Sequence, residues 1–154
     1  MTADQDRTAK VAELADALFT LMPMVATHVD DRLQKLGMTT TDWWALRSVK
    51  GPMPMKELAS CMEIDPSYVT AVADRLEQMG LIERQPHPSD RRVKNLVLTT
   101  KGEEIKASIP TTLWSGPNLL AELTDPEHAQ MLELVHKLVA RAGGPTSAVG
   151  MECD

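Results

Sequence analysis

The sequence predicts a mainly α-helical chain carrying one small β-hairpin, on three observations. Apolar residues recur every three or four positions through most of its length, the repeat of a helix face. Glycines, prolines and short hydroxyl-bearing residues fall between those stretches, where helices stop and start. Only between Leu81 and Leu98 does the pattern change, to two short apolar segments around a polar, charged run. At 154 residues the chain suits one folding unit with a real core, by the usual ~100–200 residues per domain.

The elements follow in order. From Ala9 to Leu36, the residues Val11, Leu14, Leu18, Met22, Val25, Val29, Leu33 and Leu36 line one face of a long helix, which Pro23 should bend. Gly37 stops it, and Thr39, Thr40 and Thr41 offer caps for a second helix carrying Trp43, Trp44, Leu46 and Val49. Gly51, Pro52 and Pro54 close that helix. Met55 to Met62 makes a short helix, and Asp65-Pro66 supplies a cap and a first-turn proline for the next, which runs to Met79. Two helices therefore meet at a tight turn.

Gly80 ends the second of them, and Leu81–Arg84 and Val93–Leu98 read as the strands of a hairpin with its tip at Pro86 to Asp90. Thr99 or Thr100 caps a further helix, Thr100 having Glu103 at capping-box distance. Pro110, Gly116 and Pro117 should break or kink the chain as far as Leu123. Thr124-Asp125-Pro126-Glu127 starts the last helix, in which Met131, Leu132, Leu134, Val135, Leu138 and Val139 form a wide apolar stripe. Such a stripe either lies wholly in its own core or leaves apolar surface for another contact, and the first helix has the same character. From Gly143-Gly144-Pro145 onward a flexible tail is expected.

Sixteen Lys and Arg against twenty-two Asp and Glu leave a net charge of −6, so any affinity for a polyanion must come from a local patch. One exists. From Glu83 to Lys101 the basic residues are Arg84, Arg91, Arg92, Lys94 and Lys101, against only Glu83 and Asp90. No uninterrupted apolar run of about 18 residues is present to span a bilayer, and the first residues lack the basic start and apolar stretch of a signal peptide. A cytoplasmic protein is expected, with no membrane partner. Cys61 lies in an apolar helical pattern and Cys153 in the polar tail, so both are expected as reduced thiols, and no cofactor is called for. His28, His87, His128 and His136 are scattered, and the last pair lacks the i,i+3 or i,i+4 spacing of a shared helix face, so no metal site is expected. With no Gly-rich phosphate loop, nucleophile elbow or helical metal motif, the chain does not read as an enzyme.

On the helix from Pro66 to Met79, a turn of about 100° per residue groups Val69, Val72, Ala73, Leu76 and Met79 on one face. Ser67, Thr70, Ala71, Asp74 and Gln78 form the other, with Tyr68 and Arg75 on the flanks. Packed by the first face, the helix would offer the second to a DNA major groove, and Arg75 to a phosphate. The plain alternative is an amphipathic surface helix. A short helix before it and a cationic hairpin after it make a winged helix-turn-helix, in which the hairpin reaches the neighbouring backbone or minor groove. Asp90 precedes Arg92 by two residues, so its carboxylate can hold the guanidinium in a fixed direction, suited to the concentrated negative potential of a narrow minor groove. The plain alternative there is a solvated ion pair.

Several of these segments together resemble the MarR family of bacterial transcriptional regulators. They are Met55-Lys56-Glu57-Leu58-Ala59, Val69-Thr70, Asp74-Arg75-Leu76-Glu77, Gly80-Leu81-Ile82-Glu83-Arg84, Asp90-Arg91-Arg92-Val93 and Leu98-Thr99-Thr100-Lys101-Gly102, spread over about Gly37 to Val139. The resemblance implies a homodimer on a pseudo-palindromic double-stranded DNA operator. Residues 1–36 and 100–142 would form a helical dimerisation region, 37–99 the winged helix-turn-helix, and 143–154 a tail. It implies Arg92 as the minor-groove arginine, Asp90 as its orienting partner, and Ser67, Thr70 and Arg75 as recognition-helix contacts, beside the hairpin cations Arg84, Arg91 and Lys94. Ala71 departs from the family pattern, where many relatives carry a basic residue, and Pro110 to Pro117 departs from the usual long helix.

It also implies repression relieved by a small aromatic or phenolic effector. His28, Arg32, Trp43, Trp44 and Arg47 are the candidates to line its crevice, the rings stacking on a planar ligand and the cations meeting a carboxylate or phenolate. Against this stands the reading of both tryptophans as core. Two rival functions are a winged-helix protein-interaction module without DNA binding and a redox-sensing regulator acting through Cys61.

Overall fold

The computed structural model describes residues 3–142, so the expected tail and Cys153 lie outside the described residues. The first helix, α1 (Ala3–Gln34), begins six residues before the apolar repeat does. Asp4 and Asp6 favour a helix start because they face the positive end of the backbone dipole, and Lys10 pairs with Asp6 at 2.6 Å one turn on. The helix continues through Pro23, whose missing N–H takes the helical partner from the Phe19 carbonyl, on a face open to water.

Helix α2 (Thr40–Ser48) is opened by a reciprocal cap: the Asp42 amide donates to Thr39 Oγ1 at 3.1 Å, and Asp42 Oδ2 accepts from the Thr39 amide at 2.9 Å. A two-residue strand, β1 (Met53–Pro54), follows where the sequence reads only a helix end. It is too short for any periodicity, and pairing with a strand forty residues later is what creates it. Helices α3 (Met55–Met62) and α4 (Pro66–Gln78) make the helix-turn-helix, with Glu63 at φ 52° in the turn and the Asp65 side chain accepting from the Ser67 amide at 2.8 Å. Helix α4 buries Val69, Val72, Ala73 and Leu76, the face its spacing predicts.

Strands β2 (Ile82–Pro86) and β3 (Lys94–Leu98) form the hairpin, and the sheet order is β1-β3-β2, antiparallel throughout. The register pairs Ile82 with Leu98 and Pro86 with Lys94, so Pro86 ends a strand rather than starting the tip. Because β2 is an edge strand, the absent proline N–H interrupts no further ladder.

Helix α5 (Thr100–Trp114) corrects the reading of the next region. It passes through Pro110 and ends four residues later, and the break comes at Ser115-Gly116, where Gly116 takes φ +72°. Asn118 fastens the turn, its amide donating to the carbonyls of Trp114 and Gly116 at 2.9 Å each and its carbonyl accepting from the amides of Leu120 and Ala121 at 3.0 and 3.1 Å. Helix α6 (Asp125–Arg141) then starts with the Glu127 carboxylate accepting from the amide and hydroxyl of Thr124, both at 2.8 Å.

The core draws Leu46, Leu58, Leu76, Leu81 and Leu96 from the winged part and Leu33, Ile109 and Leu113 from α1 and α5, so the two parts share one apolar centre. Helix α6 buries none of its residues, and Val11, Leu14, Leu18, Phe19 and Met22 of α1 stand exposed. No helix of the described residues is long and apolar enough to cross a membrane. Cys61 corrects a second expectation. The core face of α3 is Leu58, Ala59 and Met62; Cys61 lies half-buried beside it and is disulfide-bonded, which local periodicity does not report.

Candidate nucleic-acid interface

With its inner face packed, α4 exposes Ser67, Thr70, Ala71, Asp74 and Gln78. The Ser67 hydroxyl donates to the Asp65 carboxylate and that of Thr70 to the Pro66 carbonyl at 3.2 Å. The two Ser67 bonds hold Asp65 below its ordinary range, since both favour its charged form.

Arg75 is fastened to α2. Its Nε and Nη2 donate to Asp42 Oδ1 at 3.0 and 2.7 Å, while Asp42 Oδ2 is occupied by Thr39. Asp42 is only 1% exposed, and the Arg75 side chain is 40% exposed. The carboxylate raises the arginine's affinity for its proton. Arg75 therefore joins the recognition helix to the helix behind it and presents one edge outward.

Arg84, on β2, also turns inward. Nη1 donates to Glu77 Oε2 at 2.5 Å, and Nη2 to Asp74 Oδ1 at 2.6 Å and the Thr70 carbonyl at 3.4 Å. Thr70, Asp74 and Glu77 are spaced i, i+4, i+7, one stripe along α4, and a single guanidinium spans it.

At the hairpin tip the predicted Asp90 contact takes another form. Asp90 Oδ1 accepts from the main-chain amide of Arg92 at 2.9 Å, and no hydrogen bond or ion pair joins the Arg92 guanidinium to another described residue. A carboxylate two residues ahead is at the spacing of an Asx turn, so the nearest donor is the backbone. The Val93 amide donates to the Asp90 carbonyl, and that of His87 to the Val93 carbonyl, both at 3.0 Å, which closes the loop. Arg91, Arg92 and Lys94 stand exposed on this closed tip, unpaired among the described residues.

A crevice of about 230 Å³ opens between α1, α2 and α5, lined by Val29, Trp43, Trp44, Arg47, Leu113 and Trp114 among others. All three tryptophans of the chain line it. The Arg47 guanidinium lies over the Trp43 and Trp44 rings, 5.6 and 5.2 Å from their centroids. His28 and Arg32 are not on its wall; they stitch α1 to the end of α5. His28 Nε2 donates to the Leu113 carbonyl at 2.8 Å and its ring stacks on Trp114 at 5.1 Å, and Arg32 Nη2 donates to the Ser115 carbonyl at 2.8 Å. Sequence reasoning missed Trp114, because the segment around Pro110 reads as broken, and missed Asp42, whose capping spacing gives no hint of a partner thirty-three residues away.

A helix packed on one side, with a polar face outward beside a hairpin tipped by exposed cations, defines a winged helix-turn-helix protein. The family model described as the MarR family matches residues 38–94. The transcriptional repressor MdtR of Bacillus subtilis is 33% identical over 138 residues, covering 86% of this chain and 87% of MdtR. Among solved structures, YusO of Bacillus subtilis is similar with a TM-score of 0.67 and 29% identity, over 91% of this chain and 99% of that one. Apo MarR of E. coli has a TM-score of 0.71 and 25% identity, over 82% and 96%. The chain belongs to the MarR family and is a transcriptional regulator.

Proposed function

We propose that this regulator is a cytoplasmic, homodimeric repressor that binds a pseudo-palindromic operator and is released by a small aromatic or phenolic anion. The reading is carried by one observation: Arg91, Arg92 and Lys94 stand exposed, unpaired among the described residues, on a closed hairpin tip beside the exposed face of α4. In an acidic chain, three exposed cations clustered on one projecting tip supply the local positive potential that a polyanion would meet. Ser67 and Thr70 of α4 meet base edges or phosphates in the major groove, and Arg92 enters the adjacent minor groove, its direction set by the Asx turn rather than by an ion pair. Residues 37–99 do the reading, and 1–36 with 100–142 do the pairing, which would cover the apolar side chains of α1 and α6. Two such units would meet half-sites about one helical turn, ~10–10.5 base pairs, apart.

The crevice supports the effector reading. The partly buried indoles of Trp44 and Trp114 suit a planar ligand and Arg47 an anionic one, while Trp43, 4% exposed, belongs to the core behind them; the crevice sits where α1, α2 and α5 meet, next to the Asp42 that holds α4. A ligand there presses on the support of the recognition helix. MdtR, the repressor named above, favours repression over activation.

The test is Arg92→Ala, measured against a duplex selected by the unmodified protein from a randomised pool. Affinity should fall at least tenfold, and the slope of log affinity against log salt should shrink by about 0.9, one phosphate's worth, with the thermal melt unchanged. Unaltered affinity would remove the wing role; a flat salt response of the parent protein would point to an interaction module instead.

A further inference from the structure

We propose that Arg84 is a positioning residue for DNA recognition: it locks the first strand of the wing to the recognition helix, and Asp74 and Glu77 are its anchors rather than groups facing DNA. The inference rests on the DNA-binding reading above and assigns a different task to one of the cations counted toward the basic patch.

The geometry is that of a clamp. Arg84 sits in the middle of β2, opposite Leu96 of the central strand, and its side chain is 22% exposed although it carries a full charge. Its two terminal nitrogens take two carboxylates at 2.6 and 2.5 Å, from successive turns of α4. The planar fork suits this, since it donates in fixed directions that a lysine ammonium does not reproduce. Asp74 and Glu77, 51% and 40% exposed as side chains, would otherwise present two negative charges beside the face offered to a polyanion. Paired with one guanidinium, they keep about one net negative charge instead of two.

The Asp74-Arg75-Leu76-Glu77 run thus acquires one coherent task. Asp74 and Glu77 grip the wing, Arg75 grips Asp42 of α2, and Leu76 is buried in the core. Every side chain of the run fixes α4 in place, with the wing on one flank and α2 on the other. The distance from the helix face to Arg91 and Arg92 is set by this clamp, because the β2–β3 hairpin beyond Arg84 is an extension with no other side-chain bond to α4 among the described residues. The two reading elements must enter neighbouring grooves together, so their spacing decides how many phosphates the wing reaches.

Removing negative charge from a surface that faces DNA should strengthen binding if the carboxylates act only through charge, and weaken it if they anchor the wing. The full-length chain is compared with Asp74→Asn/Glu77→Gln, with Arg84→Gln and with the triple variant, on the selected duplex over a range of salt. The clamp predicts about a tenfold loss for the two-carboxamide variant, and a shallower salt slope although no cation has been removed, by about 0.9 for each wing phosphate no longer reached. It also predicts that the triple variant binds no worse than Arg84→Gln, since both changes break one interaction. Tighter binding by the two-carboxamide variant, or losses that add in the triple, would overturn it. Should the double carboxamide melt well below the parent, Glu77→Gln alone carries the same comparison. If the parent selects no duplex, DNA binding itself falls and the clamp's role with it; a parent that binds with a steep salt slope beside a two-carboxamide variant that binds as well as it does overturns the clamp alone.

Discussion

Gly102 shows what a single position can decide. A Cβ built there would lie 1.9 Å from the Leu81 carbonyl oxygen and 2.9 Å from its carbon, both backbone atoms with nowhere to go. The close approach is set by Thr99, whose hydroxyl donates to the Gly80 carbonyl at 2.6 Å and accepts from the Gly102 amide at 3.0 Å, while its own amide donates to Leu81 at 3.1 Å. The first turn of α5 is thereby pressed onto the end of the helix-turn-helix. Gly102→Ala should destabilise the fold by about 3 kcal/mol, at the upper end of overpacking effects, and lower the melting temperature by roughly 10 °C. A thermal melt within a degree or two of the parent would show that the approach is not tight. The sequence displays the glycine within a recognisable run, but the reason for it is a contact with a carbonyl twenty-one residues earlier.

Among the elements, α4 was the most legible, because proline after a capping aspartate and a clean apolar face leave one way to place it. Its cap carries a dependence on acid. Asp65 is held below its ordinary value of 3.8 by the hydroxyl and amide of Ser67, so the folded state binds this proton more weakly than the unfolded one. The stabilisation is complete above about that ordinary value and is lost as the pH falls through the lower folded value. Asp65→Asn keeps a capping oxygen without the titration, so its melting temperature should fall less steeply than the parent's below pH 3.8. Parallel acid limbs would remove Asp65 from the account. In α5, Pro110 is a residue that by itself predicts a break, yet Ile109 and Leu113 on either side of it are buried, and their packing outweighs one lost backbone bond.

At the scale of the molecule, the described chain leaves a long apolar surface uncovered. Leu132, Leu134, Val135 and Leu138 of α6 are each about half exposed, and no residue of that helix is buried. Helices of this kind are seldom stable alone in water, so α6 needs a partner surface. On the homodimer proposal, the parent's melting temperature should rise with protein concentration, and Val135→Glu/Leu138→Glu should give a monomer by sedimentation, with binding to the selected duplex greatly weakened. A double variant that stays dimeric would place the interface elsewhere. The net charge of −6 is a whole-molecule property that said little about function, because three cations on one tip matter more to a neighbouring polyanion than six excess carboxylates spread over the surface.

By itself the sequence determined the order of the elements, the buried face of α4, the cationic hairpin and the family, since each is written in neighbouring residues: periodicity, caps, turn formers and a run of charge. Only the tertiary structure decided which cations are free. Arg75, Arg84, Arg91 and Arg92 look alike along the chain, but the first two meet carboxylates brought to them by packing, and the last two stand exposed on a loop whose one acid, Asp90, is turned to the backbone of Arg92. A charge pair depends on positions in space set by the core, and no local spacing encodes that.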